Sequence, residues 1–438
     1  MMSMQTNLET LGALQRRANV SVPVAELEAE IHKRLSRLAR TAKIAGFRPG
    51  KVPLKLIEKQ YGPQVRSEVL NDAINDTFGD LVEKENVRVA GYPRIEPKQD
   101  STDQSRLEYT ATFEIYPDVV VGDLSKTRIE KPVATVTDAD IERTIDILRK
   151  QKVTYKPATR PAIKGDRVLV DFTGTIDGVE FAGGQAKDLA IMVGEGRMLP
   201  EFEAALAGVV AGDNKAFELT FPHDYHGKEV AGKTAVFSMN VKSVSEPVLP
   251  PVDEEFAKGY GIADGNLARL HEEIGANLRM ELKRRILSRI RDQVMEALRS
   301  STPLAVPEAL VDMDVRRQMQ AAAAEMKSKG VEPTSEQLRP EQFQDAARSR
   351  VTLGLIIGEL VRQHKLDPSP EQIRALVDEA AQSYEQPQEV VNWHYQDPSR
   401  LADFESQALE QNVINWVLAR AEVVELQTTF AELTGVSG

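Results

Sequence analysis

The sequence predicts a multidomain α+β protein with an N-terminal α+β domain, a small antiparallel β-sheet domain wrapped on a short helix, and an all-helical C-terminal domain with long helices. Three observations carry that expectation. At 438 residues the chain is long enough for about three domains, each able to bury a core. From Gly165 the texture changes to short alternating strands separated by glycine turns. Beyond Pro251 nearly every stretch has helical periodicity, with Pro or Gly at the breaks. The division expected is residues 1–115, a connector over 116–156, the sheet domain over 157–246 and the helical domain over 247–438.

Composition narrows the class. A hydrophobic share of 41% with 28% charged residues is that of globular proteins, and an aromatic share of only 5% favours helix-rich packing of Ala, Leu and Val. The chain has no cysteine, which excludes disulfides, thiolate metal sites and cysteine nucleophiles. The N-terminus lacks a basic start followed by an apolar run, and no stretch approaches the roughly 18 apolar residues of a membrane span, so a cytoplasmic protein without membrane contact is expected. Net charge is −12, unevenly spread. Between Ile31 and Arg66 ten Lys or Arg face one acid, Glu58, so this segment carries +9 and the remainder −21. Such asymmetry favours oriented encounter with a polyanion; a solvated basic helix face is the alternative.

In the first domain, residues 14–24 alternate in part as a strand, and Pro23 can open a helix. There Val24, Leu27, Ile31, Leu35, Leu38 and Ala42 recur at three- and four-residue steps, while Lys33, Arg34, Arg37, Arg40 and Lys43 cover the other sides. The helix leads into Ile44-Ala-Gly-Phe-Arg-Pro-Gly-Lys-Val-Pro53, a turn shaped by Gly46, Pro49, Gly50 and Pro53. Phe47, Arg48 and Lys51 sit at its tip. An aromatic beside two cations suits an anionic, partly apolar surface such as folded RNA with its proteins, and a helix-breaking turn with a buried Phe47 fits the same residues. Pro53 restarts helix and Gly62-Pro63 breaks it. Residues 65–84 then form an amphipathic helix carrying Val69, Ala73, Ile74, Phe78, Leu81 and Val82. Residues 107–116 alternate strictly and read as a half-buried strand ended by Pro117. Residues 126–136 are strand-like, and Thr137-Asp-Ala-Asp140 caps a helix over 141–151. This passage reads as a connector or as a continuation of the first domain.

The sheet domain takes strands from residues 167–174, 179–181, 212–221 and 235–244, with a turn at Asp177-Gly178 and one short helix over 199–206. Phe172, Phe181, Met198, Leu199, Phe202, Tyr225 and Phe237 come from separate elements. Converging, they make an apolar pocket; as ordinary core they make none. Gly227-Lys-Glu-Val-Ala-Gly-Lys-Thr234 fits the phosphate-loop pattern, but that loop must leave a strand and open a helix, whereas residues 235–241 alternate as a strand. His223 and His226 lack companion ligands and read as surface loop rather than metal site. Pro247, Pro250 and Pro251 read as a stiff linker. Helices are expected over 266–299 (about 50 Å at ~1.5 Å per residue), 307–329, 341–364, 370–383 and 398–425. Met313, Met319 and Met326 lie among Val and Ala, with Met280 and Met295 further back in the chain. Methionine-bearing surfaces adapt to varied apolar partners; a plain bundle core is the alternative.

Two stretches resemble known families. Gly46-Phe-Arg-Pro-Gly-Lys-Val-Pro53 resembles the ribosome-docking signature of the bacterial trigger factor family, with Pro49 where the family more often has a basic residue. Val-Asp-Phe-Thr-Gly174, Gly-Val-Glu-Phe181, Gly-Arg-Met-Leu-Pro-Glu-Phe-Glu203 and Phe-Pro-His-Asp-Tyr225 resemble an FKBP-type prolyl isomerase in order and spacing. Glu201 stands where that family usually has Gly, and Ala182 where its stand-alone members have a carboxylate, departures that bear on inhibitor affinity more than on turnover.

The resemblance implies a ribosome-associated chaperone that holds nascent chains open, assists folding and export, and isomerises X-Pro bonds without a cofactor. Phe172, Phe181, Met198, Leu199, Phe202, Tyr225 and Phe237 would form the catalytic pocket, Gly46, Phe47, Arg48, Pro49, Gly50 and Lys51 would bind the ribosome, and Met313, Met319 and Met326 would meet clients. Its partners would be protein and rRNA at the exit tunnel of the large subunit, nascent and unfolded polypeptides, and a second copy of the chain when off the ribosome. A free FKBP-type isomerase whose basic helix binds RNA, or merely solvates it, is the alternative.

Overall fold

The structure, a computed structural model, describes residues 5–42, 47, 52–98, 105–225, 227–334, 336–382, 384 and 386–435. The chain forms two compact units, residues 1–131 with 288–425 and residues 132–287 with 426–438.

The first unit begins with β1 (Gln5–Thr10), β2 (Gln15–Pro23), α1 (Val24–Thr41), α2 (Leu54–Lys84), β3 (Val89–Pro97), β4 (Arg106–Ile115) and β5 (Arg128–Val133). The first four strands pair antiparallel in the order β1-β2-β4-β3. Strand periodicity puts Ala18, Val20 and Val22 of β2 on one face with Tyr109, Ala111 and Phe113 of β4. Leu27, Ile31 and Leu35 from α1 and Ile57, Val65, Val69 and Leu81 from α2 cover that face. Each such large side chain contributes about 1.5–3 kcal/mol relative to exposure. Within this core the Tyr109 hydroxyl lies 2.8 Å from that of Thr77, which donates to the Ala73 carbonyl at 2.6 Å. Burial pushes the Tyr109 phenol up from its ordinary value.

The expected break at Gly62-Pro63 does not occur: α2 runs unbroken for 31 residues with Pro63 inside it. Ile57 before the proline and Val65 and Val69 after it are all buried in one core, so packing holds the axis across the lost hydrogen bond. Pro63 and Lys59, whose carbonyl loses its partner, are both exposed, and water can satisfy that group. Strands β1 and β3 were not expected from the pattern. In β3 the run Gly91-Tyr-Pro93 disrupts alternation and shifts the register between Ala90 and Arg94. Gly91 sits at φ +76°, and a Cβ there would come within 2.7 Å of Ala309.

The second unit contains α3 (Asp138–Gln151), β6 (Thr154–Pro157), β7 (Arg167–Ile176), β8 (Val179–Met192), α4 (Pro200–Leu206), β9 (Asn214–Thr220), β10 (Thr234–Val248), α5 (Glu254–Lys258) and the first part of the 35-residue α6 (Leu267–Ser301). The Asp140 carboxylate accepts the Thr137 backbone N–H at 2.9 Å and its hydroxyl at 2.7 Å, closing the expected capping box on α3. Ile141 and Ile145 of α3 pack with Phe256 of α5 and Leu270 and Ile274 of α6. In the five-stranded antiparallel sheet, β10 pairs with β7 along one edge, while β9 and β6 take successive halves of the other. β8 is far longer than the three residues its first alternation suggested, and β10 continues through Pro247.

One buried charge braces this sheet domain. Asp166, 1% exposed, takes two hydrogen bonds from Arg160 at 2.6 and 3.0 Å and one from the Ile163 N–H at 2.9 Å. The Arg160 hydrogen bonds hold its carboxyl below the usual carboxylate range. A lowered folded-state pKa contributes stability above the unfolded value of ~3.9 that is lost as pH falls through the lower folded value. Asp166→Asn should therefore destabilise the domain by about 1–3 kcal/mol near neutrality. In chemical denaturation that gap from wild type should narrow below pH ~4. A gap that stayed constant into acid would assign the loss to packing.

Returning to the first unit, α6 ends at Ser301, followed by α7 (Glu308–Ser328), α8 (Glu341–His364), α9 (Pro370–Ala381), α10 (Pro387–Tyr395), α11 (Ala402–Leu418) and β11 (Glu422–Gln427); α12 (Phe430–Thr434) lies in the second unit. α7 and α8 pack through Val311, Val315 and Ala347, and Glu114 of β4 accepts the Ala309 N–H at 2.7 Å, satisfying a free donor in the first turn of α7. The helix expected over 398–425 is instead a 3₁₀ turn, α11 and a strand. Glu422-Val-Val-Glu-Leu-Gln427 alternates with β-branched residues and pairs with β5, the Glu422 N–H donating to the Thr127 carbonyl at 2.9 Å.

Candidate active site and binding surfaces

The sheet domain closes around a cavity of about 560 Å³, within the size range of small-ligand sites. All seven aromatic and aliphatic residues expected to converge line it: Phe172, Phe181, Met198, Leu199, Phe202, Tyr225 and Phe237. Phe172 comes from β7, Phe181 from β8, Phe237 from β10 and Phe202 from α4, while Met198, Leu199 and Tyr225 come from loops. The rings lock one another by edge contacts. Phe172 meets Phe202 at 5.2 Å and Phe237 at 5.7 Å, and Phe181 meets Phe221 at 5.9 Å and Phe237 at 6.2 Å. Space for Phe237 is made by Gly174, where a Cβ would sit 2.6 Å from the ring.

Leu219, Phe221 and Val230 also line the cavity and were not singled out from sequence. Phe221 stood in the run ending at Tyr225, so its signal was present. Val230 lies in the segment with the phosphate-loop pattern. That segment is a set of turns, with the Val230 and Ala231 N–H groups both bonded to the Gly227 carbonyl, and it opens strand β10 rather than a helix. Gly227 and Val230 of this segment line the cavity, and the phosphate reading, already set aside on the sequence, finds no helix to open. Of the two departures from the isomerase pattern, Glu201 is exposed on α4 and does not line the cavity, whereas Ala182 is an exposed residue of its lining. His223 is exposed, His226 lies outside the described residues, and no group of three metal-ligating side chains occurs among the described residues.

Of the docking turn, Gly46, Arg48, Pro49, Gly50 and Lys51 lie outside the described residues. Phe47 is described and 42% exposed, so it is not the buried ring of an ordinary turn. The basic flank is less free than its count of charges suggested. Arg34 pairs with Asp72 at 2.8 Å and with Glu30, Lys33 pairs with Glu30, and Arg66 pairs with Glu28 at 2.6 Å. Arg37, Arg40, Lys55 and Lys59 are exposed and have no acidic partner among the described residues.

The methionines divide. Met313 is 43% exposed and lines a cavity of about 380 Å³ with Tyr116, Leu310, Val351 and Leu355. Met319 packs into the seam between α7 and α8, and Met326 is half-buried. Met280 is exposed and Met295 half-buried. No described helix is long and apolar enough to cross a membrane.

An antiparallel sheet wrapped on one short helix, with aromatic residues converging in the space between them, defines an FKBP-type domain, and residues 158–242 match the model of FKBP-type peptidyl-prolyl cis-trans isomerases. On either side, residues 4–148 match the model of the bacterial trigger factor protein and residues 266–419 that of its C-terminus. The chain is 50% identical to the trigger factor of Nitrosospira multiformis over 99% of its own length and 100% of that protein. It is 49% identical to that of Dechloromonas aromatica and 47% to that of Aromatoleum aromaticum, covering 99% of each chain in both cases. A solved trigger factor chaperone is similar at 18% identity and a TM-score of 0.46, covering 94% of this chain and 99% of its own, too loosely to place a residue. This chain belongs to the trigger factor family. It is a ribosome-associated chaperone with an FKBP-type peptidyl-prolyl isomerase domain, and its partners are the ribosome and nascent chains.

Proposed function

We propose that isomerisation takes place in the cavity bounded by Phe172, Phe181, Met198, Leu199, Phe202, Tyr225 and Phe237. The observation that carries this is the convergence of all seven, from three strands, one helix and two loops, on one largely apolar space. No nucleophile is needed. Resonance gives the peptide C–N bond a rotation barrier of ~18–20 kcal/mol. Within these rings an X-Pro bond loses the water that stabilises its planar, charge-separated form, and the shape of the cavity favours the twisted one. Tyr225 donates a hydrogen bond to the substrate carbonyl. Deletion of the Tyr225 hydroxyl tests this reading.

The same proposal assigns residues 1–115 to docking at the exit-tunnel region of the large subunit through Gly46, Phe47, Arg48, Pro49, Gly50 and Lys51. Residues 116–156 serve as connector, 157–246 as isomerase and 247–438 as the client-holding body. The chain works in the cytoplasm, assists folding and export, and pairs with a second copy off the ribosome. The exposed Phe47 and the exposed cations Arg37, Arg40, Lys55 and Lys59, which have no acidic partner among the described residues, support the docking part. Among the client residues Met313, Met319 and Met326, the exposure of Met313 makes it the one to test. Holding should need no ATP. Since burying a methionine is worth about 1.5–3 kcal/mol and 1.4 kcal/mol is tenfold in affinity, Met313→Glu should weaken binding of an unfolded client roughly tenfold. Fluorescence titration of the full-length variant with a reduced, labelled client reads this directly; unchanged affinity would remove Met313 from the client surface.

A further inference from the structure

Phe217 is half-buried and is not among the described residues that line the isomerase cavity, yet it touches two rings that are. It stands in β9 directly opposite Phe237 of β10, whose neighbour in register on the other side is Gly174 of β7. The Phe237 ring lies in the space that Gly174 leaves open and is stacked with Phe217 at 5.8 Å, the planes 16° apart. Phe202 of α4 meets Phe217 edge-on at 5.2 Å and 88°. One side chain behind the cavity thus backs two of the rings that form it.

Phe202 depends on such support because its helix is short. α4 has seven residues, its N-cap Leu199 makes no side-chain bond, and its last turn contains no basic residue. A helix of this length does not hold itself in water, so its place is set by what it packs on. Lys215, two residues before Phe217 and therefore on the same face of β9, donates from Nζ to the Ala205 carbonyl at 2.9 Å. That carbonyl belongs to the last turn of α4, where acceptors without a partner in the helix and the negative end of its dipole favour a cation. β9 therefore grips α4 twice, by a ring against Phe202 and by an ammonium group at its C-terminal end.

We infer that Phe217 and Lys215 are positioning residues of the isomerase, which hold the rings of Phe202 and Phe237 in the geometry that the twisted X-Pro bond requires without touching the peptide themselves. The inference rests on the assignment of this cavity as the X-Pro site. A small displacement of these rings still lets the planar peptide enter but spoils the fit of the twisted one, so the loss falls on kcat rather than on KM.

The test uses the full-length chain and an N-acetylated, C-amidated tetrapeptide with one X-Pro bond, its isomer exchange followed by NMR over a range of peptide concentrations. Phe217→Leu, which keeps the site apolar but removes the ring, should lower kcat by about threefold to tenfold, the scale of lost aromatic contacts, with KM within about twofold of wild type. Lys215→Met should lower kcat about twofold to fivefold, and Lys215→Arg, which keeps a charged donor, should restore it. Phe217→Leu should lower kcat by less in a Phe202→Leu background than in wild type, because one of the rings it positions is gone; a merely structural phenylalanine would cost the same in both. The inference is overturned if folded Phe217→Leu keeps the wild-type kcat, if its loss appears in KM alone, or if that loss adds in full to the loss from Phe202→Leu. Should Phe217→Leu not fold, Lys215 decides: a wild-type kcat in Lys215→Met overturns the inference, and a fall that Lys215→Arg restores upholds it. Failure of the underlying assignment looks different: Tyr225→Ala would leave isomerisation of the peptide at the wild-type rate.

Discussion

Tyr225→Ala should lower kcat/KM for X-Pro peptides by about 10- to 100-fold while suppression of aggregation by the same protein stays near wild type. The magnitude is that of a hydrogen bond to a group gaining charge, ~1.5–3 kcal/mol in the transition state. Tyr225 is half-buried in a loop, its ring 4.9 Å from that of Phe221, so the sheet around it keeps its core. Tyr225→Phe separates the hydroxyl from the ring. If donation matters, Phe should carry most of the loss; if ring shape matters, Phe should restore turnover. Phe202 is a poorer probe. It is 2% exposed and packs against Phe172, Phe217 and Phe237, so Phe202→Ala should cost about 3–5 kcal/mol of domain stability before it reports on catalysis. Peptide isomerisation and client aggregation assays on variants shown to be folded decide the matter. A parallel fall of both activities in Tyr225→Ala would defeat the separation of pocket and client surface.

Why the pocket was readable and other features were not follows from the reach of each signal. Phe172, Phe181, Phe202 and Tyr225 are large residues embedded in short runs whose order and spacing form a pattern, and Phe237 stands in an alternating strand just beyond them. Leu219 and Val230 belong to the same wall, yet an apolar residue in a strand or turn looks the same whether it faces a core or a cavity. The break expected at Pro63 failed because a local rule about the missing N–H was outweighed by burial of Ile57, Val65 and Val69 on both sides of it. β1 and β3 escaped notice as edge strands, and Pro93 within β3 argued against a strand that only an edge tolerates. β11 was absorbed into a helix because its partner β5 lies some 290 residues earlier in the chain, beyond any local window. In the basic segment the sequence showed ten cations but not which of them acids on neighbouring turns and helices would occupy. Glu28, Glu30 and Asp72 take up Lys33, Arg34 and Arg66.

That last distinction sharpens what should happen when the docking turn is altered. Replacing Phe47, Arg48 and Lys51 together with Ala should release the protein from ribosomes without unfolding it, since Phe47 is exposed and lies outside the core formed by α1, α2 and the sheet. Each cation that neutralises a phosphate releases counterions and adds about −0.7 to −0.9 to the log–log slope of affinity against salt. Losing Arg48 and Lys51 should therefore flatten the slope by between roughly one and two units. Residual slope should remain from Arg37, Arg40, Lys55 and Lys59, exposed cations without an acidic partner among the described residues, and should fall further when these are neutralised. Arg34 and Arg66, held by Asp72 and Glu28, should contribute little. Phe47→Ala alone should weaken binding with the slope nearly unchanged, because a ring packs or stacks without displacing ions. Pro49→Lys separates charge from stiffness: it strengthens docking if an added cation dominates and weakens it if the rigid turn does. Co-sedimentation with ribosomes across a salt series measures all of these at once. A triple variant that co-sediments like wild type at every salt concentration would show that the basic segment is only a solvated face.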